Sequence, residues 1–494
     1  MDVKKRRDWP DPLRAVLMAQ PGGACLHALW AGLCVLLFAA VLWCYAGTQG
    51  DFAIALTSAL CLLILLWGVR PALCGKASAA VWLCVALAGV LAIAGHLSLL
   101  TVRPGRYSNV IAPMLDEMWY YDLMTASAWE QSNWSGVYLF VCALVSRLDF
   151  LPQMTALKLF DMVCEFLCGA AAARLAFACG ADRGETVTAA LAAEDTAQIA
   201  VQTPASASLS PDAKQARALF AALACVLAPT MLMNAGVWLH CDATFAMLTL
   251  WGLLFLVQDR PLAGCLLWGL ALGTKLQSAF LFPLLIPMFM RGKVSLRHLL
   301  VLAAAFFASQ LAFLLDHQGI ASVFARYAQQ IDEVKWTGAG LGDNAPGVFG
   351  LMRVASVREF SGMGLYLGIA SALLVAFALI RARGTLSSEV WLLGALLLAA
   401  GLPLILPQMN ARCLYLAGML SFALAGNARR LIACALLEFV SFCGYIASIF
   451  GAQMLPLTVL SLLAIAAAVL VLLELAQALA ANRTNSPDKE EAHA

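Results

Sequence analysis

The chain has 494 residues, of which 62% are hydrophobic and 12% charged, with a mean hydropathy of +0.84. A soluble domain is about a quarter charged and about half apolar, so this composition excludes a soluble globular fold and specifies an all-α, polytopic transmembrane helical bundle. The net charge of +2 is scattered over short loops and gives no sign of a nucleic-acid partner; the expected partner is the lipid bilayer, with no nucleic acid.

Residues 1–24 form a basic N-terminus in which Lys4, Lys5, Arg6, Arg7 and Arg14 cluster. Positive charge holds a segment in the cytoplasm. The transmembrane domain then runs over 25–480. A span needs roughly 20 apolar residues, fewer where neighbours shield it. The hydrophobic runs predict spans near 25–46, 51–69, 77–102, 154–180, 216–237, 242–258, 261–275, 278–291, 295–315, 360–381, 387–406, 411–426, 429–450 and 454–480. That is about fourteen helices, an even number, so the tail at 481–494 is also expected in the cytoplasm. The inside loops collect Arg70/Lys76, Arg291/Lys293/Arg297, Arg381/Arg383 and Arg429/Arg430, as the positive-inside pattern requires. Two outer loops are expected at 103–153 and 316–358. The first holds interfacial helices, one of them the short apolar stretch 135–148. Residues 181–215 are rich in Ala, Thr, Ser and Glu and read as a flexible cytoplasmic linker.

Most of the sixteen cysteines lie inside apolar spans and none forms a Cys-x-x-Cys pair, so they read as small hydrophobes and not as a disulfide or metal framework. With short loops, this points to a bacterial plasma membrane. Asn133-Trp-Ser and Asn482-Arg-Thr fit the glycosylation pattern, a weak signal on its own.

The unusual polar residues gather on the outer face in this threading. The first loop supplies Asp116, Glu117 and Asp122 among Trp119, Tyr120 and Tyr121. The aromatics read first as interface anchors; the acids are either solvated or contain a general base held in a cleft. Next comes a hairpin. His240 and Asp242 head one helix, Gln258-Asp259-Arg260-Pro261 turns it, and Lys275 and Gln277 end the next. The turn returns all four side chains to one membrane face. Ionisable residues inside a hydrophobic hairpin are costly and mark a functional site by default; the plainer reading is that Asp242 and Lys275 neutralise each other. His240-x-Asp242 is a weak metal signature beside a full zinc motif. Asn344 in the second loop and Gln408, Asn410 and Arg412 after the 387–406 helix complete the set. Helix centres read as mostly Leu, Ala, Val and Phe, whereas a transporter places polar groups near the midplane. The balance favours an interfacial enzyme over a permease.

The stretch from Asn234 through Trp238 and His240 to Asp242, and the segment from Gln258 to Lys275-Leu-Gln277, resemble the C-type (GT-C) membrane glycosyltransferases. Those read Trp-Gly-Gln-x-Asp, a helix, then Gly-Leu-Ala…Lys-x-Gln. The branch resembled is the mannosyl- and glucosyltransferase-like one that uses polyprenyl-phosphate sugars. Asn344-Ala-Pro-Gly-Val-Phe-Gly-Leu351 looks like its Asn-Ala-x-Asn-x-Trp loop. Leu406-Pro-Gln-Met-Asn-Ala-Arg412-Cys413 looks like its Leu-Pro-x-Met-His-Glu-Arg-Tyr turn. Ser132–Tyr138 and Ala156–Asp161 are similar to the end of its first outer loop and the helix that follows. Together these cover about residues 107–425 in order. The chain departs from the pattern at His240 (Gln in the family), at Asn410-Ala411 (His-Glu) and at Cys413 (Tyr).

The resemblance implies a hexosyltransferase acting on the outer face, with a polyprenyl-phosphate-linked sugar as donor. The acceptor is a glycan, glycolipid or protein, and no cofactor is required. The family's catalytic acid follows a Ser early in the first loop. Here Ser108 is followed by Asn109, so Asp116 is taken as the base, with Glu117 and Asp122 as alternatives. Lys275, Arg412 and Gln277 would hold the donor phosphate. Trp238, His240, Asp242, Asn344 and Asn410 would bind substrate or support the site. The lost His-Glu keeps two rivals open: a flippase for a lipid-linked saccharide and a catalytically silent scaffold.

Overall fold

The computed structural model describes residues 49–73, 77–105, 107–120, 136–194, 211–311, 320–321, 323–325, 327–328, 345–352, 357–407, 409–410 and 412–484. Residues 25–46, Asp122, Asn133, Asn344 and Gln408 lie outside them, so the first expected span and three of the expected polar site residues are not placed.

The described residues form an all-α bundle. Its helices are α1 (Gln49–Leu73), α2 (Ala79–Ser98), α3 (Ala112–Tyr120), α4 (Gly136–Ser146), α5 (Gln153–Glu194), α6 (Pro211–Val226), α7 (Pro229–Leu232), α8 (Asp242–Val257), α9 (Pro261–Leu272), α10 (Leu285–Met290), α11 (Leu296–Ser309), α12 (Val348–Met352), α13 (Val357–Arg381), α14 (Ser388–Ile405), α15 (Tyr415–Leu424), α16 (Ala428–Phe450) and α17 (Leu457–Thr484). A π-helical turn, Tyr107–Ile111, leads into α3, another, Met233–Trp238, extends α7, and a 3-10 segment, Leu276–Leu284, leads into α10.

By length and composition, eight helical stretches among the described residues can cross a membrane: Gln49–Leu73, Ala80–Ser98, Gln153–Cys179, Ala213–Trp238, Gly362–Arg381, Ser388–Ile405, Ala428–Phe450 and Leu457–Asn482. The expected spans at 242–258, 261–275, 278–291, 295–315 and 411–426 are shorter helices of 10–17 residues. With 16 residues, α8 is about 24 Å long, and α9 with 12 is about 18 Å, against a hydrocarbon core of about 30 Å. Hydropathy alone does not separate a short buried helix from a span. Helix α5 runs on to Glu194, so the expected linker start at 181 falls inside a helix.

The short helices survive because they are buried in protein. All but two of α8's residues are buried, and α15 is buried throughout. Helix α5 packs on α1, α6 and α8; α8 packs on α9, and α9 on α11. At the α8–α9 crossing Gly252 and Gly264 bring the backbones together. A Cβ on Gly264 would stand 2.9 Å from the Gly252 carbonyl and 2.6 Å from Leu256. The hairpin turns at Asp259, whose φ of 57° is left-handed, a conformation Asp tolerates better than most residues. Lys293 Nζ meets the Asp259 carboxylate at 2.5 Å.

The end of the bundle that the charge bias puts inside is tied by arginines. Arg430 contacts Glu389 of α14 at 2.5 Å and Glu474 of α17 at 2.6 Å. Arg291 donates to the Leu379 carbonyl at 2.9 Å and the Gly384 carbonyl at 2.8 Å. It thereby satisfies a carbonyl in the last turn of α13, which has no partner within the helix, and one in the loop beyond it.

Candidate functional site

The chain enters the site through the π-helical turn Met233–Trp238. Its last bond, from Leu239 N–H to the Asn234 carbonyl, is 2.8 Å long, and Leu239 itself is left-handed with φ 56°. For a non-glycine residue that costs about 1–2 kcal/mol. The turn ends one element and starts α8 with Asp242 in its first turn, where a helix N-terminus favours negative charge.

Asp242 is fully buried and stands at the centre of a cluster. Lys275 donates to Oδ1, and His240 Nδ1 lies 3.1 Å from the same oxygen. Tyr445 of α16 donates to Oδ2 at 3.1 Å. Arg412 Nη1 stands 3.6 Å from Oδ2. The Arg412 guanidinium lies 5.0 Å from the centre of the Trp238 ring, and Lys275 Nζ 5.2 Å from that of Phe245, both within cation–π range. Asn410 accepts from the Arg412 backbone N–H at 3.1 Å and fixes the turn. Two cations therefore face one carboxylate. Arg412 Nη1 and Trp238 Nε1 are buried donors that make no hydrogen bond among the described residues, and Gln277 Oε1 is a buried acceptor that makes none.

Of the residues expected from sequence, the fold brings His240, Asp242, Lys275, Arg412 and Trp238 into contact, with Asn410 beside Arg412. Gln277 is half-buried and bonds to none of them. The first-loop acids stand apart. Asp116 is exposed and Glu117 half-buried on α3, and no hydrogen bond or ion pair joins Asp116 to Asp242. Burial and the Asp116 charge together push the Tyr107 phenol up from its ordinary range.

His240, Cys241 and Asp242 offer ligand atoms within 4.8 Å of one another. Lys275 already occupies Asp242 Oδ1 and Arg412 adds a second positive charge beside it, so this donor set suits an anion better than a divalent cation.

A second layer of polar residues was not singled out from the sequence. Tyr445 also reaches Asn234 Oδ1 at 3.3 Å. Asn234 Nδ2 donates to Glu165 Oε1 at 3.4 Å, and Glu165 Oε2 lies 2.6 Å from His96 Nε2. Asp161, one turn before Glu165 on α5, is fully buried. The apolar reading of helix centres fails here: Glu165 neighbours Cys61, the central residue of α1. The acids at i and i+4 in a hydrophobic span were a legible signal. Nothing local marks Tyr445 or His96 as their partners.

In comparison with known proteins, no family model matches the chain, and no curated protein matches it. What stands is a polytopic helical membrane protein.

Proposed function

We propose that the chain is a GT-C-like membrane glycosyltransferase of about fourteen spans, counting the short helices, in a bacterial plasma membrane. It moves a hexose from a polyprenyl-phosphate donor to a hydroxyl of a glycan, glycolipid or protein acceptor on the outer face. The observation that carries this reading is the surplus of positive charge at Asp242: Lys275 and Arg412 face one carboxylate, with Arg412 Nη1 and Trp238 Nε1 still able to donate. A phosphate takes such donors, Arg by a fork and Lys as a point charge.

In this mechanism Asp116 accepts the proton of the acceptor hydroxyl as its oxygen attacks the anomeric carbon. The bond from that carbon to the phosphate oxygen breaks, and the lipid phosphate leaves with the electron pair. Lys275 and Arg412 stabilise the charge that develops on it. Asp116 is exposed on α3, so the reading requires the first loop to close over the acceptor.

The test is a transfer assay with purified protein in nanodiscs, a panel of polyprenyl-phosphate hexoses and a mixed glycolipid extract. Loss of turnover in Asp116→Asn and in Arg412→Ala supports the reading. Unchanged transfer in Asp116→Asn removes Asp116 as the base.

One observation favours a second reading. Buried acids at the level of the centre of α1 suit a transporter of lipid-linked saccharide, whose polar groups lie inside the membrane. That protein would move the donor across vesicle membranes without forming a glycosidic bond. A silent scaffold would do neither.

A further inference from the structure

We propose that Asp161 is an intramembrane proton-binding site, with the carboxyl group holding a proton that exchanges with water.

The other buried acids have partners, Glu389 in Arg430 at 2.5 Å. Asp242 has Lys275, His240, Tyr445 and Arg412. Glu438 receives the Thr230 hydroxyl at 2.5 Å and its N–H at 3.3 Å. Glu474 has Arg429, Arg430 and Asn427. Glu165 has Asn234 and His96. His96 Nδ1 lies 2.8 Å from the Ala92 carbonyl and must donate to it. Nε2 and Glu165 then share one further proton, and with it on either atom the pair is neutral overall.

Asp161 is different. Both carboxylate oxygens are buried and neither has a hydrogen-bond partner among the described residues. An isolated carboxylate in an apolar surround is too costly to remain charged and takes up a proton instead. Among the described residues, the titratable groups that interact electrostatically with Asp161 include Cys164 and Glu165 from its own helix, Tyr138 and Cys142 from α4, and Cys241 and Asp242 from the entry to α8. None of these is a cation, and the buried Lys158, one turn earlier on α5, donates to the Leu99 and Val102 carbonyls instead. Soft thiols and a phenol are also poor ligands for a hard alkali cation, so the proton is the occupant that fits.

The site has a consequence for the Asp242 cluster. With Asp161 neutral, Lys275 and Arg412 exceed the adjacent Asp242 charge by one. Ionised Asp161 would cancel that surplus. The proton thus keeps the cluster receptive to an anion, and this consequence alone rests on the function proposed above.

The test uses the full chain in nanodiscs and needs no substrate. Infrared spectra taken from about pH 5 to about pH 9 are expected to show a protonated-carboxyl C=O band at neutral pH that shifts in D2O. The band is lost in Asp161→Asn and moves in frequency in Asp161→Glu. In Glu165→Gln it persists with an altered titration midpoint. On the wild-type protein, a hydrophobic carbodiimide is expected to label the Asp161 peptide, with labelling falling about tenfold per pH unit once the group ionises. That readout stands even if Asp161→Asn fails to fold. A wild-type protein with no such band and no label at neutral pH overturns the proposal. So does a band unchanged in a folded Asp161→Asn, or labelling suppressed by sodium at constant pH.

Discussion

Tyr445 donates its hydroxyl to Asp242 Oδ2 at 3.1 Å across 203 positions of sequence, and so fixes the end of α16 to the start of α8. Arg430, 15 residues earlier on α16, ties the opposite end to α14 and α17. At 1.5 Å per residue the two fastenings are about 22 Å apart, and the apolar helix between them is held in register.

Removing the hydroxyl leaves the carboxylate with one donor fewer. Tyr445→Phe is expected to lower stability by about 1.5–3 kcal/mol, the range for hydrogen bonds to charged groups. Denaturation in mild detergent micelles with added SDS reads this directly. A change within error would mean that Lys275 and His240 satisfy Asp242 without Tyr445.

The Asp242–Lys275 pair gives a sharper test of burial. Asp242→Asn strands the Lys275 and Arg412 charges and is expected to cost about 3–5 kcal/mol, whereas Lys275→Met leaves Asp242 beside Arg412 and is expected to cost less. The double variant is expected to cost less than the sum of the two by about 1–3 kcal/mol, because the Lys275–Asp242 contact is then lost once and not twice. Additive losses in the cycle would show that the two groups do not interact.

Asp116 and Arg412 separate reaction from fold. Asp116 is exposed, so Asp116→Asn is expected to leave stability within about 0.5 kcal/mol while reducing transfer by about 10²–10⁴-fold. Arg412→Lys keeps the charge and loses the fork. It is expected to weaken binding of a polyprenyl phosphate by about tenfold or more, about 1.4 kcal/mol, with a smaller effect on a neutral polyprenol. Equal losses for both lipids would show that the guanidinium does not read the phosphate.

At the inner fastening, Arg430→Ala leaves Glu389 and Glu474 facing one another with less positive charge. A loss of about 3–5 kcal/mol is expected, read as a lower melting temperature in detergent. At the hairpin, Gly264→Leu places a side chain where even a Cβ meets the Gly252 carbonyl, and overpacking there is expected to cost about 1–3 kcal/mol. Insertion into the membrane would remain intact, since the substitution increases hydropathy.

Much of this was legible in the chain itself. A high apolar content, with cations in alternate loops, determines a helical membrane protein, because only structures that satisfy their own backbone hydrogen bonds survive in hydrocarbon. The hairpin was legible too: Asp242, the Gln258-Asp259-Arg260-Pro261 turn and Lys275 are local in sequence, and a tight turn between two helices must return their far ends to one place. Arg412 was legible as a polar residue in the turn after the 387–406 helix, but nothing local places it beside Asp242.

Tertiary structure decided the rest. Whether a 12- or 16-residue apolar helix spans or stays buried depends on its neighbours, which is why α8 and α9 could not be assigned from hydropathy. The partners of the buried acids come from α2, α7 and α16, far apart along the chain. Burial makes an acid expensive wherever it occurs, and that much Asp161, Glu165 and Asp242 announce by composition alone. Which of them is compensated depends on where three other helices place His96, Asn234 and Tyr445, and the packing leaves Asp161 without a hydrogen-bond partner among the described residues.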